Sequence, residues 1–193
     1  SAALHLLGAG RRVTVVERDA VPGGRAGRLD LGGYRFDTGP TVLTMPELVD
    51  EALGAVGDSL ADRLDLRPVH PAYRARFADG STLDVHSDAE AMEAEVRRFA
   101  GPREAAGYRA LRRWLTELYR VERDRFIGSN FDSPLSLLTP ELAKLAGLRG
   151  FARLGPSVAR FVRDERLQRV FSFQSLYAGV PPRKALAAYA VIA

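Results

Sequence analysis

One short stretch of the chain combines the residue types that bind a dinucleotide. Residues 13–27 read VTVVERDAVPGGRAG, in which an apolar run ends on Glu17 and is followed by Gly23, Gly24 and Arg25. A carboxylate at the end of a strand can accept hydrogen bonds from the hydroxyls of an adenosine ribose. Paired glycines let a backbone approach a ligand, and arginine supplies a fork of donors to a pyrophosphate. Each feature alone also suits an ordinary turn or a surface charge, but their order predicts part of a dinucleotide site.

The elements that must position Glu17 are a helix and a buried strand. Residues 1–9 have a broad apolar face, and residues 13–16 form the continuous apolar run expected of a strand buried on both faces of a parallel sheet. In such a βαβ unit the acid lies about 20 residues after a G-x-G-x-x-G turn, which holds the pyrophosphate at a helix N-terminus. Counting back from Glu17 places that turn just before Ser1. We therefore expect the chain to be a fragment that begins after it.

The residues around Glu17 refine this prediction. A carboxylate would repel a 2′-phosphate, although Arg18 beside it weakens that exclusion. A second small-residue turn, FDTGPT, follows and contains Gly39, Pro40 and Thr41.

The remaining pattern predicts two hairpins and a run of helices. RLDL and YRFD flank Gly32-Gly33, and YRARF and TLDV flank ADGS, with Tyr73, Ala75 and Phe77 on one face. Helices are predicted over 45–56 (opened by Thr44 and Pro46), from Ser87 with a capping box to about 99, over 103–126, from Thr139-Pro140, and over 156–164, 165–177 and 182–192. The predicted secondary structure changes near residue 70 from an α/β pattern to a hairpin followed by helices. This change predicts two domains, residues 1–70 and residues 71–193.

Composition excludes several classes of chemistry. The chain has no cysteine, which excludes disulfides and thiolate sites, and its three scattered histidines predict no metal cluster. It has no run of 18 apolar residues and no signal peptide, so a cytoplasmic protein is the default.

Charge is unevenly distributed along the chain. Residues 97–169 carry sixteen cationic against eight acidic side chains. This half could face nucleic acid, anionic lipid or an acidic ligand, or it could reflect a base-composition bias with arginines on solvated faces. Stacking platforms for single strands are not evident, so we expect no nucleic-acid partner.

The motifs together resemble a known family. E-R-D-x-x-P-G-G-R-A and then G-G-Y-R-F-D-T-G-P-T are similar to segments of the bacterial-type carotenoid desaturases, the phytoene desaturase family within the flavin amine oxidase-like proteins. RPVHPAYRARFADGS, RRFAGPREAAGYRALRRWL and FSFQSLYAGVPP continue the likeness in the same order.

The resemblance implies an α/β fold with FAD as cofactor. The expected architecture is a truncated, Rossmann-like FAD-binding domain followed by a hairpin-plus-helices substrate domain. The residues implied in binding FAD are Glu17 and Arg18 at the ribose, Gly23, Gly24 and Arg25 at the pyrophosphate and flavin approach, and Gly39, Pro40 and Thr41 near the isoalloxazine. The expectation for the fragment alone is that it does not retain FAD stoichiometrically.

The resemblance also implies a reaction and a location. Family enzymes remove hydrogen from a long, uncharged polyene by hydride transfer to flavin and loss of a proton. Because that substrate lies in a bilayer, we expect peripheral membrane association through the arginine-rich helices, with Trp114 among their apolar residues. Asp132 is a weak candidate acid/base that also suits a loop turn. Phe171, Phe173 and Tyr177 could line a tunnel or belong to the core. The alternatives are a related carotenoid isomerase or oxidase, or a non-catalytic fragment with a basic binding surface.

Overall fold

The chain divides into two compact units. The structure, a computed structural model, describes residues 1–39, 43, 45–127 and 133–192, apart from the side chains of residues 124, 134 and 192. The first unit is Ser1–Arg67 and the second is Pro68–Ala193. Each contains helices and one antiparallel hairpin, so the protein is a mixed helix-and-strand protein.

The first unit is built from short elements. They are α1 (Ala2–Gly8), β1 (Arg28–Leu31), β2 (Tyr34–Asp37), α2 (Pro46–Gly54) and α3 (Leu60–Arg63). The hairpin confirms the prediction at Gly32-Gly33, because Leu31 pairs with Tyr34 and both glycines have positive φ, 58° and 83°. Two residues in this conformation match the right-handed twist of the strands they join. Helix α2 lies within the predicted range, and Thr44 is outside the described residues.

The predicted buried strand at residues 13–16 is wrong. These residues adopt no regular secondary structure, and the side chains of Val15 and Val16 are 74% and 90% exposed. A parallel strand needs a neighbour to bond its backbone and cover its side chains. The strands that the structure describes pair only as the two hairpins, so the apolar run has no strand beside it.

The second unit begins with a hairpin and continues in helices. Its regular elements are β3 (Tyr73–Arg76), β4 (Thr82–Val85), α4 (Ala89–Ala100), α5 (Pro102–Glu122), α6 (Pro140–Gly147), α7 (Leu154–Val158) and α8 (Glu165–Val170). A π-helical turn, Arg123–Ile127, follows α5, and 3-10 turns occupy Pro134–Leu137, Phe173–Ala178 and Ala187–Ile192. The hairpin register confirms the predicted shared face, because Tyr73, Ala75 and Phe77 are half-buried while Arg74 and Arg76 are exposed.

Helix ends in this unit test the capping predictions. Thr139 caps α6 as predicted, since its hydroxyl accepts from the Leu142 N–H. The capping box at Ser87 is wrong, because the Asp88 carboxylate accepts from the Glu90 and Ala91 amides and starts α4 one residue later. The predicted helices over 156–164, 165–177 and 182–192 are too long. The observed α7 ends at Val158 and α8 ends at Val170, where a 3-10 turn soon follows, and residues 182–192 contain only a 3-10 turn.

One hydrophobic core fills the second unit around α5. Its fully buried members come from five elements: Leu83, Met92, Val96, Leu111, Leu118, Leu154, Val158 and Leu167. Trp114 is half-buried rather than a surface anchor, because its indole N–H donates to the Leu148 carbonyl at 2.9 Å and its ring packs on Phe161. The buried carboxylate of Glu104 accepts from two amides at the start of α8 and so ties α5 to that helix.

Among the residues that the structure describes, no helix has the length and apolar character that crossing a bilayer requires.

Candidate functional site

The glycine-rich stretch of the first unit forms a tight turn. Gly23 and Gly24 have φ values of 122° and 54°, and the Ala26 N–H donates to the Gly23 carbonyl at 3.0 Å. A β-carbon added at Gly24 would meet no atom within 4 Å, so this side of the turn is open. Consecutive amides in such a turn form a concave surface that favours anions. Arg25 is exposed at its end and adds a positive charge.

The structure brings this turn together with the end of β2. The Thr38 N–H donates to the Gly27 carbonyl at 3.0 Å. A β-carbon at Gly39 would lie 1.7 Å from the Arg25 carbonyl oxygen, so only glycine permits this close approach. Two segments that the sequence separates by more than ten residues therefore share one surface. Sequence reasoning assigned no role to Gly27 and Thr38, because a backbone hydrogen bond between distant residues leaves no mark in the residue types.

Glu17 and Arg18 make local contacts. One Glu17 oxygen accepts from the Asp19 N–H at 2.9 Å, and the Arg18 guanidinium lies 3.6 Å from the Asp19 carboxylate. Both side chains are exposed. The carboxylate is thus accessible to a ligand, and its assignment to a ribose stays a prediction. Pro40 and Thr41 lie outside the described residues, as does Asp132.

The residues present fit an anionic cofactor. The open face at Gly24 leaves room beside free backbone, Arg25 supplies a cation, and the hydrogen bond from Thr38 to Gly27 holds the turn against the hairpin. A lone turn of this kind is common, but a carboxylate, a glycine pair and an arginine in this order match a dinucleotide's sugar and phosphates.

The second unit buries a carboxyl group that sequence reasoning missed. Glu122, the last residue of α5, is 6% exposed, and its Oε1 has no hydrogen-bond partner among the described residues. Burial raises the pKa of this carboxyl to about 7. Its spacing of four residues from Leu118 is the available sequence signal, since it places Glu122 on the buried face of α5. The π-helical turn that follows is a feature often found at functional sites.

The three aromatic candidates have different environments. Phe171 is 7% exposed and stacks on Tyr108, with ring centroids 5.5 Å apart, so it belongs to the core. Phe173 packs edge-on against Tyr73. Burial raises the pKa of the Tyr73 hydroxyl to about 12. Tyr177 is 79% exposed. Only Phe171 is thus part of the core, and tunnel lining stays a prediction for Phe173 and Tyr177.

Comparison with known proteins identifies the family. The profile described as "Flavin containing amine oxidoreductase" matches residues 1–192. The chain belongs to this family of flavin oxidoreductases, which implies a flavin cofactor.

Among curated proteins, the chain is similar to phytoene dehydrogenases and phytoene desaturases. The chain is 69% identical over all its 193 residues to "Phytoene dehydrogenase" from Streptomyces griseus and covers 38% of that protein. It is 36% identical over its whole length to a "zeta-carotene-forming phytoene desaturase" from Myxococcus xanthus, of which it covers 37%. It is 32% identical, over 98% of its length, to "Phytoene desaturase (lycopene-forming)" from Pantoea ananas, of which it covers 38%. The chain thus spans well under half the length of these relatives.

Proposed function

We propose that the protein is an FAD-dependent desaturase of a phytoene-type carotenoid precursor. The observation that carries this proposal is the 69% identity to a phytoene dehydrogenase over the whole chain. The first unit would be part of a Rossmann-like FAD-binding domain, and the hairpin and helices of residues 71–193 would form the substrate domain.

The residues of the first unit would hold the cofactor. Glu17, beside Arg18, would accept hydrogen bonds from the adenosine ribose, and Gly23, Gly24 and Arg25 would bind the pyrophosphate. Gly39, Pro40 and Thr41 would lie near the flavin ring. The open turn and its close approach to Gly39 support this assignment, because they leave backbone donors accessible beside an exposed cation.

The chemistry divides between cofactor and protein. FAD, when bound, supplies the redox chemistry by accepting a hydride from the polyene. A hydrocarbon substrate offers no polar group to bind, so the protein must hold and orient it by apolar burial, worth about 25 cal/mol per Å². The adjacent carbon loses a proton, and the electron pair of that C–H bond forms the new double bond.

A substrate of this kind also implies a location. A long polyene dissolves in the bilayer, so the enzyme must reach a membrane surface to collect it. We therefore propose a cytoplasmic, peripherally membrane-associated protein whose partners are the polyene and an anionic lipid surface rather than nucleic acid.

Expression of the intact gene product in a phytoene-producing host tests the proposal. New conjugated double bonds shift the pigment absorbance to longer wavelength, and we expect this shift. Pigment with an unchanged number of double bonds would favour an isomerase or an oxidase instead. A Glu17→Gln variant tests the cofactor site separately, because it should lower the flavin-to-protein ratio. Glu51→Gln, which neutralises an exposed acid of α2, is the matched control and should leave that ratio unchanged.

A further inference from the structure

The last quarter of the chain carries a concentrated positive charge. Residues 142–193 contain nine lysines and arginines but only two acids, Asp164 and Glu165. Each of these acids already has a cationic partner, because Asp164 binds Arg166 and Glu165 binds Arg169, both at 2.6 Å. The other cations of this segment must therefore find their counter-charges elsewhere.

Backbone pairing collects several of these cations on one surface. The Ala187 N–H donates to the Ala152 carbonyl at 2.7 Å, and the Ala188 N–H donates to the Gly150 carbonyl at 2.8 Å. The Arg153 guanidinium also donates to the Lys184 carbonyl. These bonds join residues 149–153 to residues 183–188. We call the resulting surface the basic strip, and it consists of Arg149, Phe151, Arg153, Arg183 and Lys184.

The cations of the basic strip are not paired with carboxylates of the described residues. Within the part of the chain that the structure describes, no carboxylate forms an ion pair with any of its four cations. Glu165 lines the same groove as Arg183 but is paired with Arg169. Like charges held side by side repel each other over roughly 8–10 Å at physiological salt, and an anionic surface relieves that repulsion.

An exposed aromatic ring lies within this cluster. Phe151 is 49% exposed between Arg149 and Arg153 in sequence. The segment that carries it is held firmly, because the Trp114 indole N–H donates to the Leu148 carbonyl and the turn at Gly150 packs against Leu145. A ring presented from an ordered, cationic surface suits the boundary between lipid headgroups and acyl chains. Single-stranded nucleic acid stacks its successive bases on several aromatic side chains. The basic strip, in the residues that the structure describes, has only this one exposed ring, which favours lipid over nucleic acid.

We propose that the basic strip docks the second unit onto an anionic lipid bilayer. Its cations would face the headgroups, and Phe151 would enter the interface between them. The inference rests on the proposed function in one respect, since a substrate dissolved in lipid gives the protein a reason to visit a membrane. It goes further by assigning the contact to particular residues on two segments and by removing Trp114 from it.

Vesicle sedimentation of the intact gene product, without substrate, tests the assignment. The probes are phosphatidylcholine vesicles with and without phosphatidylglycerol. The double variant Arg183→Gln/Lys184→Gln should lower binding to the anionic vesicles by about 25-fold, because each cation near such a surface contributes roughly a fivefold factor. Phe151→Ser should weaken binding to the same vesicles without changing its salt dependence.

A charge-matched variant controls for net charge. Arg97→Gln/Arg120→Gln removes two exposed guanidiniums that are already paired with Glu93 and Glu117. It should change vesicle binding by less than about twofold, because a partnered cation has less charge to offer a lipid. Equal losses in both double variants would overturn the assignment to the strip, as would undiminished binding of Arg183→Gln/Lys184→Gln.

Two further outcomes separate this inference from the proposed enzyme activity. Strong, salt-dependent binding of the parent protein to RNA, with indifference to anionic vesicles, would overturn lipid docking in favour of nucleic acid. Desaturation of phytoene supplied in detergent micelles should survive in the strip variants, because micelles replace the bilayer. Loss of vesicle binding with retained micellar activity supports the strip, whereas absent activity in the parent protein defeats the proposed function alone.

Discussion

The two units of the chain use their apolar residues in opposite ways. In the second unit, helices α4, α5, α7 and α8 bury one continuous core in which Leu111, Leu118 and Val158 are fully inaccessible. In the first unit, the hairpin places Leu29, Leu31, Tyr34 and Phe36 on one face, and all four are between 49% and 71% exposed. Nothing in the described part of the chain covers that face.

The difference follows from how helices and strands find partners. A helix presents a stripe of side chains that the next helices along the chain can cover, so the second unit closes its core with local neighbours. A strand buries its two faces only when a sheet forms around it. The first unit has the apolar pattern of such a sheet and, in its described residues, only a hairpin. Its site residues are therefore exposed while the second unit is well packed.

Truncation of a core leucine gives the largest expected effect. Leu111→Ala removes a fully buried side chain of α5 and should lower the free energy of unfolding by about 2–5 kcal/mol. Leu31→Ala, at a residue that is 64% exposed, should cost less than about 0.5 kcal/mol. Urea unfolding followed by far-UV circular dichroism and by the single tryptophan measures both. A comparable loss at Leu31 would show that the hairpin face is covered in solution and would remove the contrast between the units.

The pH dependence of the second unit gives the next largest effect. The pKa of Glu122 is raised by burial from its ordinary 4.5 to about 7, so the folded state holds its proton where the unfolded chain releases it. The contribution is present below pH 4.5 and is lost as the pH rises to about 7, with a cost above that of the order of 3 kcal/mol. Glu122→Gln should remove this slope between pH 5 and 8 and stabilise the protein at pH 8.

An exposed acid of the same helix provides the control for Glu122. Glu117→Gln neutralises a carboxylate that is 52% exposed and paired with Arg120, so it should leave the slope unchanged. Tryptophan fluorescence during urea unfolding at several pH values follows both variants, because Trp114 lies on the same helix. A Glu122→Gln variant with the parent's pH dependence would mean that the carboxyl is solvated.

Much of the local structure could be predicted because its causes are local. Gly32-Gly33 fixes a two-residue turn whatever surrounds it, and Thr139-Pro140 starts a helix by satisfying its own first amides. The prediction of a buried strand at residues 13–16 was wrong for the opposite reason. A continuous apolar run indicates only that the segment needs partners, and these partners lie elsewhere in the chain. The prediction that Ser87 caps α4 was wrong because the neighbouring Asp88 accepts hydrogen bonds from the first-turn amides, and its charged carboxylate is the stronger acceptor.

Long-range contacts are the part that the sequence left open. The approach of Gly39 to Arg25 joins two turns, and the pairing of residues 150–152 with 187–188 builds the basic strip. No period or motif encodes either contact, because both depend on where the intervening chain runs. The burial of Glu122 without a partner was equally hidden, since spacing placed it on an inward face but not beside a counter-charge.

Substitution of Gly39 probes the contact that organises the first unit. Gly39→Ala would place a β-carbon 1.7 Å from the Arg25 carbonyl oxygen, so the turn and hairpin must separate, at a cost of about 1–3 kcal/mol. We expect a lower flavin-to-protein ratio in the purified intact gene product and an earlier urea transition. Gly54→Ala, in helix α2 with no atom within 4 Å, should instead stabilise by up to about 1 kcal/mol. Equal behaviour of the two variants would show that the approach of Gly39 to Arg25 is not close.

Relief of backbone strain in the second unit gives the smallest expected effect. Arg149 has a φ of 62°, a left-handed conformation that costs a residue with a β-carbon roughly 1–2 kcal/mol. It is held there because the Arg149 and Gly150 amides donate to the Ala146 and Leu145 carbonyls and end α6. Arg149→Gly removes the strain but loosens the unfolded chain, which leaves a net gain of up to about 1 kcal/mol.

The same substitution four residues later should have the opposite sign. Arg153 has a φ of −77°, so Arg153→Gly relieves nothing and should be about 0.5–1 kcal/mol less stable than Arg153→Ala, which equally loses the guanidinium's hydrogen bond to the Lys184 carbonyl. Arg149→Gly compared with Arg149→Ala should have the opposite sign, so the two glycine-minus-alanine differences isolate the backbone. Urea midpoints measured without lipid give these differences. If the two glycines destabilise equally relative to alanine, the chain at residue 149 is not strained, and the tight packing of the second unit does not extend to this turn.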